Sequence, residues 1–327
     1  MSTPPLVSIL MPVRDGMRFL PAAVQSVLQQ SFSNWELIVV DDGSTDGSAE
    51  YVEGLADQRV RLLRMGARAG ITVALQRGWS EASGEFLARF DADDVMLPRR
   101  LERQLQVMLA QPELGVLGCQ WREIDEHDKP GGVSNFPLSD AEVRLYGCWN
   151  SPFAHPGVML RLAELKARGV RGYNPDFAVA QDYALWADCL EVMKGANLPE
   201  VLISYRRHGH SISGQKAEEQ RAARLRMGQV FLRRLLEDLA VEDDAPALQA
   251  AMLGQGDGLA RCVQHFRSFI KRQGRASAAC KLLAMKLAKA NVRRLGVWGC
   301  WTTLRCLGDW RLGWWLLRLS LSKVLRR

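Results

Sequence analysis

The sequence lacks the features that mark secreted, zinc-binding or membrane-spanning chains. It has seven cysteines and five histidines, and no CxxC pair or Cys/His cluster has the spacing of a zinc site. No run of 18 uncharged apolar residues occurs, so no membrane-spanning helix is expected. The start, MSTPPLVSIL, has neither a basic region nor a long apolar core, so no signal peptide is expected. We therefore expect reduced thiols and a cytoplasmic protein.

Charge is distributed unevenly along the chain. The net charge is +7, yet the first 200 residues have 19 Lys/Arg against 27 Asp/Glu. From residue 201 onward there are 24 Lys/Arg and 9 Asp/Glu. A basic half of this kind indicates a polyanionic partner, either nucleic acid or an anionic membrane.

Apolar runs of strand length alternate with segments of helical spacing. The runs are LVSILMP, WELIVV, VRLLRM and GEFLARF. Further helices are predicted over residues 99–110 and 178–195, and short strands and loops over 112–160. The segment VLISYRRHGHSIS is predicted as a strand that runs into a His/Ser loop. This alternation predicts an α/β fold with a mostly parallel sheet and helices on both faces. From Lys216 onward the pattern is helical.

Acidic residues follow three of the predicted strands. They lie within Pro12–Asp15, at Asp41 and Asp42, and within Asp91–Asp94. Because parallel strands end at the same edge of a sheet, where ligands bind, we expect these groups to converge. Carboxylates packed so closely repel one another unless a cation lies between them. Asp-Ala-Asp after a buried strand therefore predicts a site for Mn²⁺ or Mg²⁺, which prefer oxygen ligands.

Five segments occur in an order that is similar to a known family. They are VSILMPVRDG, WELIVVDDGSTDGS, FDADD, QDYALW and YRRHGHSIS, and they span roughly residues 5–214. Together they resemble the family 2 inverting glycosyltransferases, which have the GT-A fold. The resemblance implies a Rossmann-like GT-A domain over 1–214, followed by a helical, basic, Trp-rich region over 215–327.

The resemblance also implies roles for particular residues. A nucleotide-sugar donor, expected to carry UDP, would bind at Pro12, Val13, Arg14, Asp15, Asp41, Asp42, Arg68, Asp91, Ala92 and Arg206. The carboxylate of Asp42 can accept the imide N–H of uracil. Asp93, with Asp91 and His208, would hold the metal, although His208 could contact the diphosphate instead. Asp94 is either a turn residue or orients a neighbour.

Asp182, in QDYALW, matches the position of the family's general base. An inverting transfer needs such a base to deprotonate the acceptor hydroxyl. An ordinary aspartate, with a pKa of about 4, is weak for this task, and burial beside Tyr183 and Trp186 would raise that pKa. The alternative is an acid that stabilises the helix N-terminus.

The C-terminal segment predicts contact with a membrane surface. Residues 258–327 hold 16 Lys/Arg and one acid, together with five of the ten tryptophans. In WRLGWWLLRLSLSKVLRR, helical spacing separates a Trp/Leu face from an Arg face, as in helices that lie in the plane of an anionic membrane. The alternative is a helix packed on its own domain. Nucleic acid is not expected, because the aromatic residues do not interleave with the basic ones.

The sequence as a whole predicts a metal-dependent inverting glycosyltransferase, peripheral on the inner face of the cell membrane. Its acceptor would be a saccharide, expected to be lipid-linked, in bacterial surface polysaccharide synthesis. Two alternatives stay open at this level. One is a nucleotidyltransferase. Such an enzyme would be expected to bind a triphosphate with a glycine-rich first loop, and VRDGMRF is poor in glycine. The other is a non-catalytic membrane adaptor on a transferase fold.

Overall fold

The computed structural model describes residues 4–208 and 217–238. The predicted domain boundary at 214/215 and the amphipathic segment 310–327 lie outside these residues. The strands are β1 Val7–Val13, β2 Trp35–Asp41, β3 Val60–Arg64, β4 Phe86–Arg89, β5 Val95–Met96, β6 Leu114–Ile124, β7 Pro130–Val133, β8 Met159–Leu160 and β9 Lys194–Arg206.

Helices alternate with strands β1 to β4, and the remaining helices follow β5, β7, β8 and β9. They are α1 Leu20–Leu28, α2 Ser48–Glu53, α3 Ile71–Glu81, α4 Arg100–Ala110, α5 Asp140–Tyr146, α6 Leu162–Ala167, α7 Gln181–Val192 and α8 Ala217–Asp238. A short 3₁₀ turn covers His155–Gly157.

The strands form one mixed sheet. Their order in the sheet is β3-β2-β1-β4-β8-β6-β9-β5, and β7 pairs with β6. The strands β3, β2, β1 and β4 run parallel, as do β6 and β9. Every residue of β1, β2 and β4 is buried, as expected for parallel strands covered on both faces. This confirms the α/β prediction and brings the carboxyl ends of β1, β2 and β4 to one edge.

The sequence prediction was wrong about where the helix over 178–195 begins and ends. The helix covers Gln181–Val192, and Met193 is already extended. Lys194 then pairs with Leu114, so β9 starts well before the predicted VLISYRR strand. Pairing with β6 determines this boundary, and helical periodicity alone does not reveal it. The pattern also missed α5 and α6, which lie within or just beyond the segment predicted as strands and loops.

The chain divides into two compact units. The first comprises residues 1–143 and 151–224, and it contains the whole sheet. The second comprises residues 144–150 and 225–327, of which 144–150 and 225–238 are described. Within the described part of the chain, no helix has the length and hydropathy needed to cross a membrane.

Candidate active site

The ends of β1 and β2 meet as the sequence predicts. Pro12 and Val13 are the buried last residues of β1, and the backbone N–H of Asp42 donates to the Val13 carbonyl at 2.9 Å. Asp41 and Asp42 are buried beside them. Arg14, the residue after β1, is exposed and forms an ion pair with Asp15.

Hydrogen bonds join the loop after β1 to the loop after β2. The Asp15 carboxylate accepts the backbone N–H of Thr45 at 2.8 Å, and the Asp15 N–H donates to Ser44 Oγ at 2.9 Å. The Asp46 carboxylate accepts the N–H of Met17 at 2.8 Å. Asp15 has a φ of +47°, a left-handed conformation that Asp tolerates better than most residues. Asp15 therefore links two loops, a role that the sequence did not predict.

Asp42 holds the loop that carries Arg68. Its carboxylate accepts the backbone N–H of Ala69 at 2.6 Å and that of Gly70 at 3.0 Å. Gly43 has a φ of +75°, and a Cβ there would lie 3.2 Å from the Arg68 nitrogen, so any other residue would be strained and would press on this loop. Arg68 is exposed beside this strand end. The carboxylate keeps lone pairs for a base N–H, so the predicted contact to uracil is compatible with this arrangement.

The acids after β4 form a compact cluster. One oxygen from each of Asp91, Asp93 and Asp94 lies within 4.8 Å of the others, and no other group of three metal-ligating side chains occurs among the described residues. Burial raises the pKa of Asp93, and the charge of Asp91 adds to this while His208 opposes it. Burial raises the pKa of Asp94 still further, and its Oδ2 has no hydrogen-bond partner within the described chain. Such crowding of oxygen ligands fits a hard divalent cation.

Ala92 lies next to the loop that follows β1. A Cβ on Gly16 would come within 3.9 Å of the Ala92 Cβ, so the two strand ends are in direct proximity. The structure thus brings the predicted donor residues of β1 and the acidic turn after β4 together.

Arg206 is buried at the end of β9, where its guanidinium holds the acidic turn. Its Nε donates to the Asp93 carbonyl at 2.8 Å and its Nη1 to the Asp125 carbonyl at 3.0 Å. Its Nη2 pairs with Asp128 at 2.8 Å, and its backbone N–H donates to Asp94 at 2.8 Å. All three guanidinium nitrogens are therefore engaged by protein groups. This placement favours a positioning role over the phosphate contact expected from the sequence.

His208 reaches the same turn from the end of β9. Its Nε2 lies 2.9 Å from an Asp93 carboxylate oxygen. Its ring also contacts Phe19, with centroids 5.2 Å apart, and the Arg206 guanidinium lies 4.6 Å from the Phe19 centroid. His208 thus lies beside Asp93, the predicted metal ligand, and no pattern in the sequence indicated the contact with Phe19.

Asp182 lies in the first turn of α7, preceded by Ala180 in the left-handed conformation at φ +57°. Burial raises the pKa of Asp182. A hydrogen bond from the Tyr183 N–H, the charge of Arg89 and a hydrogen bond from Ser151 each lower it, but burial outweighs them. This is the direction of shift that a general base requires. Two neighbouring side chains, Tyr183 and Trp186, are buried.

Arg89, the last residue of β4, was missed by the sequence analysis. It is buried and forms an ion pair with Asp91 through Nη1. It also interacts electrostatically with Asp182, Asp94 and Tyr173. The signal was present in FLARF, where a charged residue interrupts an apolar strand just before the acids. Arg89 therefore contacts the acid cluster through Asp91, and its charge also acts on the candidate base.

Comparisons with known proteins agree with this geometry. The model of "Glycosyl transferase family 2" matches residues 8–167. The O-antigen biosynthesis glycosyltransferase WbnJ of Escherichia coli is 30% identical over 218 residues, which cover 63% of this chain and 81% of that protein. The E. coli UDP-Glc:alpha-D-GlcNAc-diphosphoundecaprenol beta-1,3-glucosyltransferase WfgD is 29% identical over 219 residues, covering 65% and 82%.

The fold has a counterpart among solved structures. S. aureus TarS 1–349, in complex with UDP-GlcNAc, superposes with a TM-score of 0.55 at 14% identity, covering 94% of this chain and 92% of that chain. At this identity the match concerns the fold, which is GT-A. Taken with the family model and the bacterial relatives, it leads to one conclusion: the chain belongs to glycosyl transferase family 2 and is a glycosyltransferase.

Proposed function

We propose that this enzyme moves a sugar from a UDP-sugar to an acceptor hydroxyl, with inversion and with the help of Mn²⁺ or Mg²⁺. The observation that carries the proposal is the cluster of Asp91, Asp93 and Asp94 at the end of β4, where Asp91 pairs with the buried Arg89. The charge of Arg89 also acts on Asp182, whose pKa is raised by burial. A cation-binding group and a base connected in this way are what an inverting displacement needs. Family membership supports neither a nucleotidyltransferase nor a non-catalytic adaptor.

The chain offers suitable ligands for the cation. Asp93 is the foremost candidate, because Asp91 is engaged by Arg89 and Asp94 by the backbone of Arg206. His208, 2.9 Å from Asp93, is the candidate nitrogen ligand. When bound, the ion would neutralise the charge that develops on the departing diphosphate.

Asp182 would act on the acceptor. Its carboxylate accepts the proton of the acceptor hydroxyl while that oxygen attacks the anomeric carbon. The bond from the anomeric carbon to the diphosphate oxygen breaks, and the nucleoside diphosphate leaves with the electron pair. Attack from the face opposite the leaving group inverts the anomeric configuration. The raised pKa makes the carboxylate a stronger base than an exposed aspartate.

Donor recognition would use the joined ends of β1 and β2. Asp42 would accept the base N–H, and Pro12, Val13, Arg14, Asp15, Asp41, Arg68, Asp91 and Ala92 would line the nucleotide. Two similarities support UDP over other nucleotides: WfgD is named for a UDP-Glc donor, and TarS 1–349 was solved with UDP-GlcNAc.

The acceptor would be a lipid-linked saccharide of a bacterial surface polysaccharide. WfgD is named for a diphosphoundecaprenol-linked acceptor and WbnJ for O-antigen biosynthesis. The division proposed from the sequence, a transferase domain over 1–214 and a basic region over 215–327, suits such a substrate. The basic region would hold the enzyme on the cytoplasmic face of the membrane, next to the lipid anchor of the acceptor.

A thermal-shift screen of nucleotide sugars, with and without Mn²⁺, tests the proposal. We expect stabilisation by UDP-sugars that requires or is strengthened by Mn²⁺. Donor turnover should then be lost in Asp182→Asn and retained in Asp188→Asn, which alters an exposed acid on the same helix. Stabilisation by GDP-sugars alone would refute the UDP assignment, and no response to any nucleotide sugar would refute the proposed function.

A further inference from the structure

We propose that Arg89 is a positioning residue that holds Asp91 and Asp182 in one charge network, so that the cation-binding turn and the base keep a fixed relation. This inference rests on the proposed function. It assigns a role to the buried cation at the end of β4, which touches neither the acceptor nor the donor in the proposed mechanism.

The backbone of Arg89 is firmly held. Its N–H donates to the Val158 carbonyl at 3.1 Å, and its own carbonyl accepts a hydrogen bond from Arg100 Nη2 at 2.8 Å. Arg100 also donates to the Val158 carbonyl at 3.0 Å, so the two arginines share an anchor. The Arg89 side chain therefore starts from a fixed point at the edge of the sheet.

The side chain of Arg89 is poorly explained by stability alone. The residue is only 1% exposed, and its Nε has no hydrogen-bond partner among the described residues. Removing a guanidinium from water is unfavourable unless its donors are well satisfied, and an apolar residue of similar volume is often as stabilising in such a place. A buried cation that leaves a donor unused beside an acid cluster therefore points to a role in the site.

The charge of Arg89 acts on the candidate base as well as on the acid cluster. Its charge acts on Asp182, Asp94 and Tyr173, in addition to its ion pair with Asp91. His155 contacts the Tyr173 hydroxyl at 2.8 Å, and burial together with the charge of Arg89 lowers the pKa of His155 well below its usual value. His155 is thus kept neutral and does not replace Arg89 as a counter-ion.

Three variants of the 327-residue chain test this role. Arg89→Met removes the charge at similar volume, Arg89→Lys keeps it, and Arg100→Met removes a neighbouring buried arginine that has no carboxylate partner in its hydrogen bonds. Single-turnover transfer at saturating UDP-sugar should fall about 100-fold in Arg89→Met, since small displacements of catalytic groups have effects of this size. The donor KM should change by less than about threefold, because the joined ends of β1 and β2 are untouched. Arg89→Lys should recover at least about tenfold of the lost rate.

A second measurement does not depend on turnover. Titration of Mn²⁺ by electron paramagnetic resonance should show tighter binding to Arg89→Met, by at least about threefold, because a cation that competes for Asp91 has been removed. Arg100→Met removes one hydrogen bond to the Arg89 backbone but leaves the charge of Arg89 and its ion pair with Asp91 in place. It should therefore bind Mn²⁺ as the wild type does and lose less transfer rate than Arg89→Met, even if its melting temperature falls.

The outcomes separate the two proposals. Wild-type rate and Mn²⁺ affinity in Arg89→Met would overturn the role of Arg89 while leaving the proposed function standing. An equal loss of rate in Arg89→Lys, Arg89→Met and Arg100→Met would also overturn the role of Arg89. Such a result would mean that any disturbance of packing in this part of the core lowers the rate. A wild-type enzyme that binds neither Mn²⁺ nor a nucleotide sugar would refute the proposed function and this inference together. If Arg89→Met does not fold, Arg89→Lys decides through its Mn²⁺ affinity and rate.

Discussion

Replacing Arg206 with Met should destabilise the protein even when no ligand is present. The substitution removes two hydrogen bonds from a charged donor, to the carbonyls of Asp93 and Asp125, at about 1.5–3 kcal/mol each. The ion pair with Asp128 adds at most about 1 kcal/mol, because the Asp128 side chain is 72% exposed. The free energy of unfolding should therefore fall by about 3–5 kcal/mol, which also allows for some rehydration of the freed carbonyls.

The matched control is Arg207→Met. Arg207 is the next residue, its side chain is 64% exposed, and it pairs with Glu123 at 3.0 Å. An exposed pair of this kind is worth less than about 1 kcal/mol, so this variant should melt close to the wild type. Differential scanning calorimetry of both variants, without nucleotide or metal, makes the comparison.

The expectation from sequence gives a different result for Arg206. If the guanidinium served mainly to bind donor phosphate, Arg206→Met would melt like the wild type and would show a raised donor KM. An unchanged melting temperature in the absence of ligand would therefore refute the positioning role argued from the buried hydrogen bonds.

Three further predictions concern the acids of the site. Asp182→Asn should lower the transfer rate by about 10²–10⁴-fold with donor binding retained, as measured by calorimetric titration, and near-normal turnover would contradict its role as base. Burial raises the pKa of Asp182, so its carboxylate takes up a proton at a pH above the ordinary aspartate pKa. The wild-type rate should therefore begin to fall above that ordinary pKa as the pH is lowered. A rate–pH profile that stays flat down to the ordinary aspartate pKa would contradict this. Asp93→Ala should abolish stabilisation by Mn²⁺ in a thermal-shift assay, whereas an undiminished shift would remove Asp93 from the ligand set. Asp42→Ala should raise the donor KM more than it lowers kcat, because the Ala69–Gly70 backbone loses its anchor, and steady-state kinetics showing the reverse would argue against this role.

The ends of the first strands and the parallel arrangement of the sheet were predicted correctly, whereas α5, α6 and the bounds of α7 were not. The strand ends with their acids follow from apolar runs that stop at charged residues, and the parallel arrangement follows from the alternation of strands with helices. The start of β9 was not predicted, because Lys194 is extended through pairing with Leu114, eighty residues away in the sequence.

The same limit applies to the site. The acidic residues could be predicted because their types and spacing are chemical signals in themselves. The roles of Arg206 and Arg89 depend on which carbonyls and carboxylates surround each guanidinium, and these come from distant segments such as Asp125 and Asp182. No spacing in the sequence shows those partners. Only the charged residue in FLARF was visible in the sequence, and its role could be interpreted only once the structure showed its partners.

The hydrogen bonds between the loop after β1 and the loop after β2 have a consequence for changing donor preference. Asp15 and Thr45 hold each other in place, and so do Met17 and Asp46, so an exchange of either loop alone would leave its partner without a match. Grafting from a homologue with another nucleotide preference should therefore succeed only when both loops are transplanted together. Evolution of new donor preferences in this scaffold would face the same constraint, with paired changes favoured over single ones.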